Sequence, residues 1–141
     1  MSEPYRHVVC AVESEEVSAP AIRESARLAG LGAERLSLVH VVDSAAGFSG
    51  GRTSRSGPAA SVEGHLEEEA RAWLGPLAAR LGGTPVVLVG DDAPGALRGW
   101  AAAEAADLIV ACPHRRGLRR VLGSFASAIV RDAPCPVLLA A

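Results

Sequence analysis

The stretch Ala111-Cys-Pro-His-Arg-Arg-Gly-Leu-Arg-Arg-Val-Leu-Gly-Ser-Phe125 joins an apolar run, Asp107-Leu-Ile-Val110, to a helical pattern from Phe125 to Arg131. A buried strand, a basic loop and a Gly-Ser helix start, in that order, make a place for a phosphate. The first N–H groups of a helix lack an intrahelical acceptor, and the helix dipole favours an anion there. The same stretch carries a difficulty. A phosphate loop takes glycine where the backbone must approach its ligand, and here other residues hold the expected positions.

Outward from this stretch the chain alternates strand and helix. His7-Val-Val-Cys-Ala-Val12, Leu36-Ser-Leu-Val-His-Val-Val42, Pro85-Val-Val-Leu-Val89, Leu108 to Cys112 and Pro136-Val-Leu-Leu139 are short, nearly continuous apolar runs, the form of parallel strands covered on both faces. A polar turn, Glu13 to Glu16, follows the first. Ser18 is placed to cap the first helix, with Pro20 in its first turn, Ile22, Ala26 and Ala29 at helical spacing, and Gly30 and Gly32 as its stop. The second helix is expected from Val62, with Leu66, Ala70, Trp73, Leu74, Leu77 and Leu81 on one face and a kink at Gly75-Pro76. Asp92 caps the third, whose inward residues are Leu97, Trp100, Ala101 and Ala105. Between Ser44 and Ser61 the composition turns to Gly, Ser, Ala and Arg without periodicity, which predicts a flexible loop. The order β-α-β-α-β-α-β-α-β calls for an open parallel sheet with helices on both faces.

The chain has 141 residues, which suits one domain over 1–141, and at that size folding buries roughly 70% of the surface an extended chain exposes. Hydrophobic residues make up 49% and the formal net charge is -2, which argues against charge-driven nucleic-acid binding. All 14 basic residues are Arg. The lack of lysine removes a Walker-type phosphate loop, a kinase, a Schiff-base enzyme and a receiver domain. Cys10, Cys112 and Cys135 form no C-x-x-C and read as reduced thiols. The N-terminus lacks the apolar core of a signal peptide, and no apolar run approaches the ~20 residues of a membrane span, so the expected place is the cytoplasm, with no membrane partner.

Ligands of an open parallel sheet bind beyond the carboxyl ends of strands, where the strand order reverses. The residues alone leave that order open. If the fourth strand returns beside the first, the crevice lies between Ala11, Val12 and Glu13 on one side and Ala111 to Arg116 on the other.

Several local patterns coincide with one family. His40-Val-Val-Asp43 after the second strand, Gly90 after the third, Ala106-Asp-Leu-Ile-Val110, Gly117-Leu-Arg-Arg120, Gly123-Ser124 and Ala133-Pro-Cys-Pro-Val-Leu138 together resemble the universal stress proteins, over Tyr5 to Leu139. The resemblance implies the adenine nucleotide alpha hydrolase-like fold, a three-layer α/β sheet in the order 3-2-1-4-5, and a homodimer through the fifth strands. Edge physics supports the dimer, since Pro136, Val137, Leu138 and Leu139 would form an exposed edge with little chain behind it; the alternative is a monomer whose short edge is blunted by Pro134 and Pro136.

The family's ATP-binding members share Gly-x2-Gly-x9-Gly-(Ser/Thr), an Asp ending the first strand and a Val lining the adenine. By this resemblance Val41 matches the adenine-side Val, and Gly123 with Ser124 matches the final pair. The rest departs. Glu13 replaces the Asp, Ala111 and His114 stand at the first two glycines, eight residues instead of nine separate His114 from Gly123, and Ala126 replaces a hydroxyl residue. Losing two charge-assisted hydrogen bonds at ~1.5–3 kcal/mol each lowers affinity by roughly two to four powers of ten. Arg115, Arg116, Arg119 and Arg120 offer forked donors suited to phosphate that could restore part of it, although a basic loop here reads more often as solvated surface.

His114 and Cys112 suggest a metal or a nucleophile pair, yet His7, His40 and Cys135 lie on other elements and no ligand spacing accompanies them. Glu67, Glu68 and Glu69 point in different directions on a helix and read as a solvated face. The expectation is a cytoplasmic stress-response protein: a non-enzymatic dimeric scaffold with a degraded nucleotide pocket, binding ATP weakly or not at all and open to an unidentified protein partner. The alternative is an adenine-nucleotide module taking ATP or AMP, with at most slow hydrolysis.

Overall fold

Strands and helices alternate along the computed structural model, which describes residues 5–44, 58–113 and 123–141. They are β1 (His7–Ala11), α1 (Ala19–Gly30), β2 (Arg35–Asp43), α2 (Pro58–Leu81), β3 (Thr84–Gly90), α3 (Ala93–Ala103), β4 (Leu108–Ala111), α4 (Ser124–Arg131) and β5 (Val137–Leu139). The sheet is parallel throughout and its order is β3-β2-β1-β4-β5. The expected order therefore holds. Cys10 of β1 sits opposite Leu38 of β2 and Val110 of β4.

The central strands β1 and β4 are buried at every residue, which is why they read as unbroken apolar runs. Side-chain alternation then divides the core in two. Val8, Cys10 and Leu38 pack under α1 and α2 with Leu74 and Leu77, while Val9, Val39 and Ile109 pack under α3 and α4 with Leu97 and Ile129. Truncating a leucine buried like Leu38 or Leu74 to alanine typically costs about 2–5 kcal/mol.

Some local expectations shift. Helix α2 starts at Pro58, so residues 58–61 of the expected loop are helical, and residues 45–57 lie outside the described residues. Small residues gave that first turn no apolar period to read. The helix runs on through Pro76 to Leu81. Ser18 precedes α1, but its hydroxyl accepts from the Glu13 N–H at 2.8 Å instead of capping the helix. Asp92 does cap α3, accepting from the Gly95 N–H at 3.1 Å. Ala105 is exposed, not inward: it lies beyond α3 with φ 55, in the left-handed turn that lets the Ala106 N–H reach the Ala101 carbonyl at 2.9 Å. Pro136 precedes β5, and its carbonyl still accepts from the Ile109 N–H at 3.0 Å. After α2 the chain turns at Gly82, φ 70, and at Gly83, where an added Cβ would meet the Leu36 carbonyl oxygen and Leu38 Cδ1 at 3.0 Å.

The amino end of the sheet is closed by side chains. The Asp107 carboxylate accepts from the N–H groups of Arg6 (2.8 Å) and His7 (2.9 Å), tying the start of β4 to the start of β1. His7, 3% exposed, donates from Nδ1 to the Glu104 carbonyl at 3.1 Å. Its Nε2 meets the Ser37 hydroxyl at 2.8 Å. A carbonyl can only accept, so Nδ1 carries a proton.

Candidate functional site

At the opposite, carboxyl end, strand order reverses between β1 and β4, and a cavity of about 500 Å³ opens there. Ala11, Val12 and Glu13 line it from the end of β1, Val41 from β2, Ala111 from β4, and Gly123 and Ser124 from the start of α4. The sequence-derived candidates thus converge on one cavity, except His114 and Arg115, which lie outside the described residues, as do Arg116, Arg119 and Arg120. Ala111 is a strand residue, buried, with its carbonyl accepting from the Ala140 N–H at 2.8 Å. The chain leaves the sheet at Cys112 and Pro113, which also line the cavity.

Two sets of backbone groups face this space. The first belongs to α4. The Gly123 N–H donates to the Pro113 carbonyl at 2.8 Å, stitching together the two sides of the connection from β4 to α4. The first turn-closing bond of α4 runs from the Ser127 N–H to the Gly123 carbonyl at 2.9 Å, and no side chain among the described residues caps the helix. The N–H groups of Ser124, Phe125 and Ala126 therefore have no partner among the described residues, at the positive end of the helix dipole.

The second set belongs to β2. In a parallel ladder, alternate residues direct both backbone groups toward the same neighbouring strand. Val39 directs them at β1, its carbonyl accepting from the Val12 N–H at 2.9 Å. Val41, two residues on, directs its N–H and C=O to the same side, past the end of β1, where no partner stands among the described residues. The Val12 carbonyl, which a longer ladder would offer to the Val41 N–H, accepts from His40 Nδ1 at 2.8 Å. Among the described residues the cavity thus has an unpaired donor and acceptor on one wall and unpaired helix donors on another.

Carboxylates complete the lining. Glu13, Asp43, Asp91 and Asp92 border the cavity, and of the four only Glu13 is a site residue on the sequence reading. Their signal was position: Asp43 ends β2, and Asp91 and Asp92 follow Gly90 at the end of β3. Cys112 is half-buried, and burial pushes its thiol above the usual range, opposed by hydrogen bonding to Ala21 and by the charge of Arg23. Cys10 lies beneath the sheet surface, its thiol pushed up to about 12 by burial. His7, at the amino end with Ser37 and Glu104, is not brought to His40 or Cys112.

The model of the universal stress protein family matches residues 4–141. The chain belongs to that family. No match is found among curated proteins. Among solved structures, this universal stress protein is similar to the hypothetical protein MJ0577, at 21% identity and TM-score 0.83, over 98% of this chain and 96% of that one. It is similar to universal stress protein UspA from Lactobacillus plantarum at 20% identity, TM-score 0.70, over 99% and 100% of the two chains. A universal stress protein from Archaeoglobus fulgidus, solved in complex with dAMP, superposes with TM-score 0.65 at 22% identity, covering 99% and 100%. At these identities the likeness is one of fold. No helix among the described residues of the stress protein is long and apolar enough to cross a membrane.

Proposed function

We propose that this universal stress protein is a non-enzymatic adenine-nucleotide binding module that takes a nucleoside monophosphate in preference to ATP, and that it works as a cytoplasmic homodimer. One observation carries the reading: the cavity of about 500 Å³ is walled at one place by the N–H and C=O of Val41 and at another by the first N–H groups of α4, all without partners among the described residues. A neighbouring donor and acceptor match the N1 and N6 positions of adenine, which guanine presents with the opposite sense. The α4 amides suit a phosphate. The Archaeoglobus relative's dAMP is a ligand of this size and composition.

Selectivity for one phosphate follows from charge. Carboxylates of Glu13, Asp43, Asp91 and Asp92 border the cavity, so each phosphate beyond the one at α4 meets like charge. Ala111, where ATP-binding members carry glycine, is committed to the sheet. Binding without turnover is supported by the place of the His40 ring, which packs against Trp73 of α2 on the sheet face away from the α4 amides, and by the burial-raised thiol of Cys112, a poor nucleophile. A second reading, a scaffold that takes no nucleotide, is favoured by the substituted glycine positions alone.

Dimerisation through β5 is supported by its place at the sheet edge and by the exposure of Leu138 (37%) and, on α4, Val130 (46%). Thermal shift with AMP and with ATP tests the function, and sedimentation of the same sample tests the dimer. AMP at ~100 times its dissociation constant should add about 2.7 kcal/mol, a rise of roughly 10 °C. A larger shift with ATP would reverse the selectivity. No shift with either at millimolar concentration would leave the scaffold reading, and a sedimenting monomer would remove the dimer.

A further inference from the structure

We infer that His40 is the positioning residue that keeps the base-reading edge of Val41 open, an inference that rests on the nucleotide reading above. The side chains of His40 and Val41 point to opposite faces of the sheet. Val41 belongs to the α3 and α4 face, while His40 packs against Trp73 of α2, ring centroids 5.1 Å apart at 74°. From that face His40 Nδ1 donates to the Val12 carbonyl at 2.8 Å. A carbonyl has no proton to give, so Nδ1 carries it and the tautomer is fixed.

That bond decides the state of Val41. The ladder between β1 and β2 reaches its last rung at the Val12 N–H and the Val39 carbonyl, 2.9 Å apart. The next rung would join the Val41 N–H to the Val12 carbonyl. His40 holds one lone pair of this oxygen from the α2 face, which satisfies the carbonyl without Val41, and the Val41 N–H is left directed at the cavity. Without the imidazole donor, the Val12 carbonyl has one amide within the ladder's own geometry to satisfy it, that of Val41. The rung closes and the donor for the base is lost. The helix donors of α4, on β4's side of the cavity, are untouched by this exchange. His40 therefore governs recognition of the base and not of the phosphate.

Two variants separate the donor from the ring. His40→Phe keeps an aromatic ring against Trp73 and removes the donor; His40→Asn supplies an amide N–H near the Nδ1 position and removes the ring. The first readout is hydrogen exchange at the Val41 amide, followed by NMR without ligand. The second is affinity for AMP and for ribose 5-phosphate, which shares the phosphate and sugar but has no base. The inference expects a fast-exchanging Val41 amide in the wild type, slowed at least tenfold in His40→Phe, with AMP affinity down at least tenfold and ribose 5-phosphate affinity unchanged. His40→Asn should stay close to the wild type on both readouts. Wild-type exchange and AMP affinity in His40→Phe would overturn it, because ring packing would then be the whole role. A parallel loss of AMP and ribose 5-phosphate would overturn it as well. If the wild type binds no AMP, the nucleotide reading fails by itself, while Val41 exchange in the two variants still decides what His40 does.

Discussion

The two ends of the same sheet treat their backbone groups in opposite ways. At the amino end, Asp107 accepts from two N–H groups, His7 is hydrogen-bonded through both ring nitrogens, and the Arg35 guanidinium reaches the Glu104 carboxylate at 3.3 Å. At the carboxyl end, Val41 and the first turn of α4 keep donors and an acceptor without protein partners among the described residues, beside a cavity. An unsatisfied backbone group near the protein interior is costly, and the amino end shows that this chain has the side chains to satisfy such groups. The difference marks where a ligand completes the structure. Stability should therefore be sensitive at one end and affinity at the other.

The largest effect should come from Asp107→Ala. It removes the acceptor of the Arg6 and His7 N–H groups, and hydrogen bonds to a charged group are worth ~1.5–3 kcal/mol each, less for Arg6 because that site is exposed. The expected loss is about 3 kcal/mol, a fall in Tm of roughly 10 °C by calorimetry. AMP affinity measured well below the transition should match the wild type. A large affinity change would mean the two ends are coupled, and the contrast between them would fail.

Ser124→Pro makes the converse test. Ser124 is the first residue of α4, where proline is well tolerated because the N–H it removes has no intrahelical acceptor. Gly123 before it already has φ -63 and ψ 156, the extended conformation a residue preceding proline requires. The fold should barely notice. If the Ser124 N–H binds phosphate, losing a charge-assisted bond of ~1.5–3 kcal/mol weakens AMP roughly ten- to a hundredfold by calorimetric titration. Ser124→Ala separates the hydroxyl from the amide, and equal losses in both variants would assign the effect to the side chain.

Legibility in the sequence follows the same division. Burial writes itself into composition, so β1, β4 and the inward faces of α1 to α3 were readable from apolar runs and helical spacing. Val41, Gly123 and Ser124 were readable because a family pattern marks them. What stayed hidden depended on backbone direction. Val41's free groups arise because β1 stops one rung early, and His40's bond to Val12 crosses from the other sheet face, neither of which leaves a periodic trace. The start of α2 was missed because Pro58-Ala-Ala-Ser61 offers neither apolar spacing nor a capping side chain within the described residues. Ser18 was assigned to the helix it precedes, but its hydroxyl is used five residues back, at Glu13, to hold the loop that forms the cavity wall.

The smallest effect belongs to Ala105, at the amino end. Helix α3 closes with a bond from the Ala106 N–H to the Ala101 carbonyl, which requires the intervening Ala105 to adopt a left-handed conformation, φ 55. Glycine is the usual residue there, since a Cβ in this region costs roughly 1–2 kcal/mol. The strain is local but its neighbours are not, because Glu104 holds the His7 ring and Asp107 holds the start of β1. Ala105→Gly relieves the strain and adds chain entropy to the unfolded state, ~0.5–1 kcal/mol in the other direction. The net gain should be about 0.5–1 kcal/mol, a rise of roughly 2–3 °C in Tm with AMP affinity unchanged. A fall in Tm would mean that the alanine methyl contributes packing to this end of the sheet, and that its closure relies on more than paired polar groups.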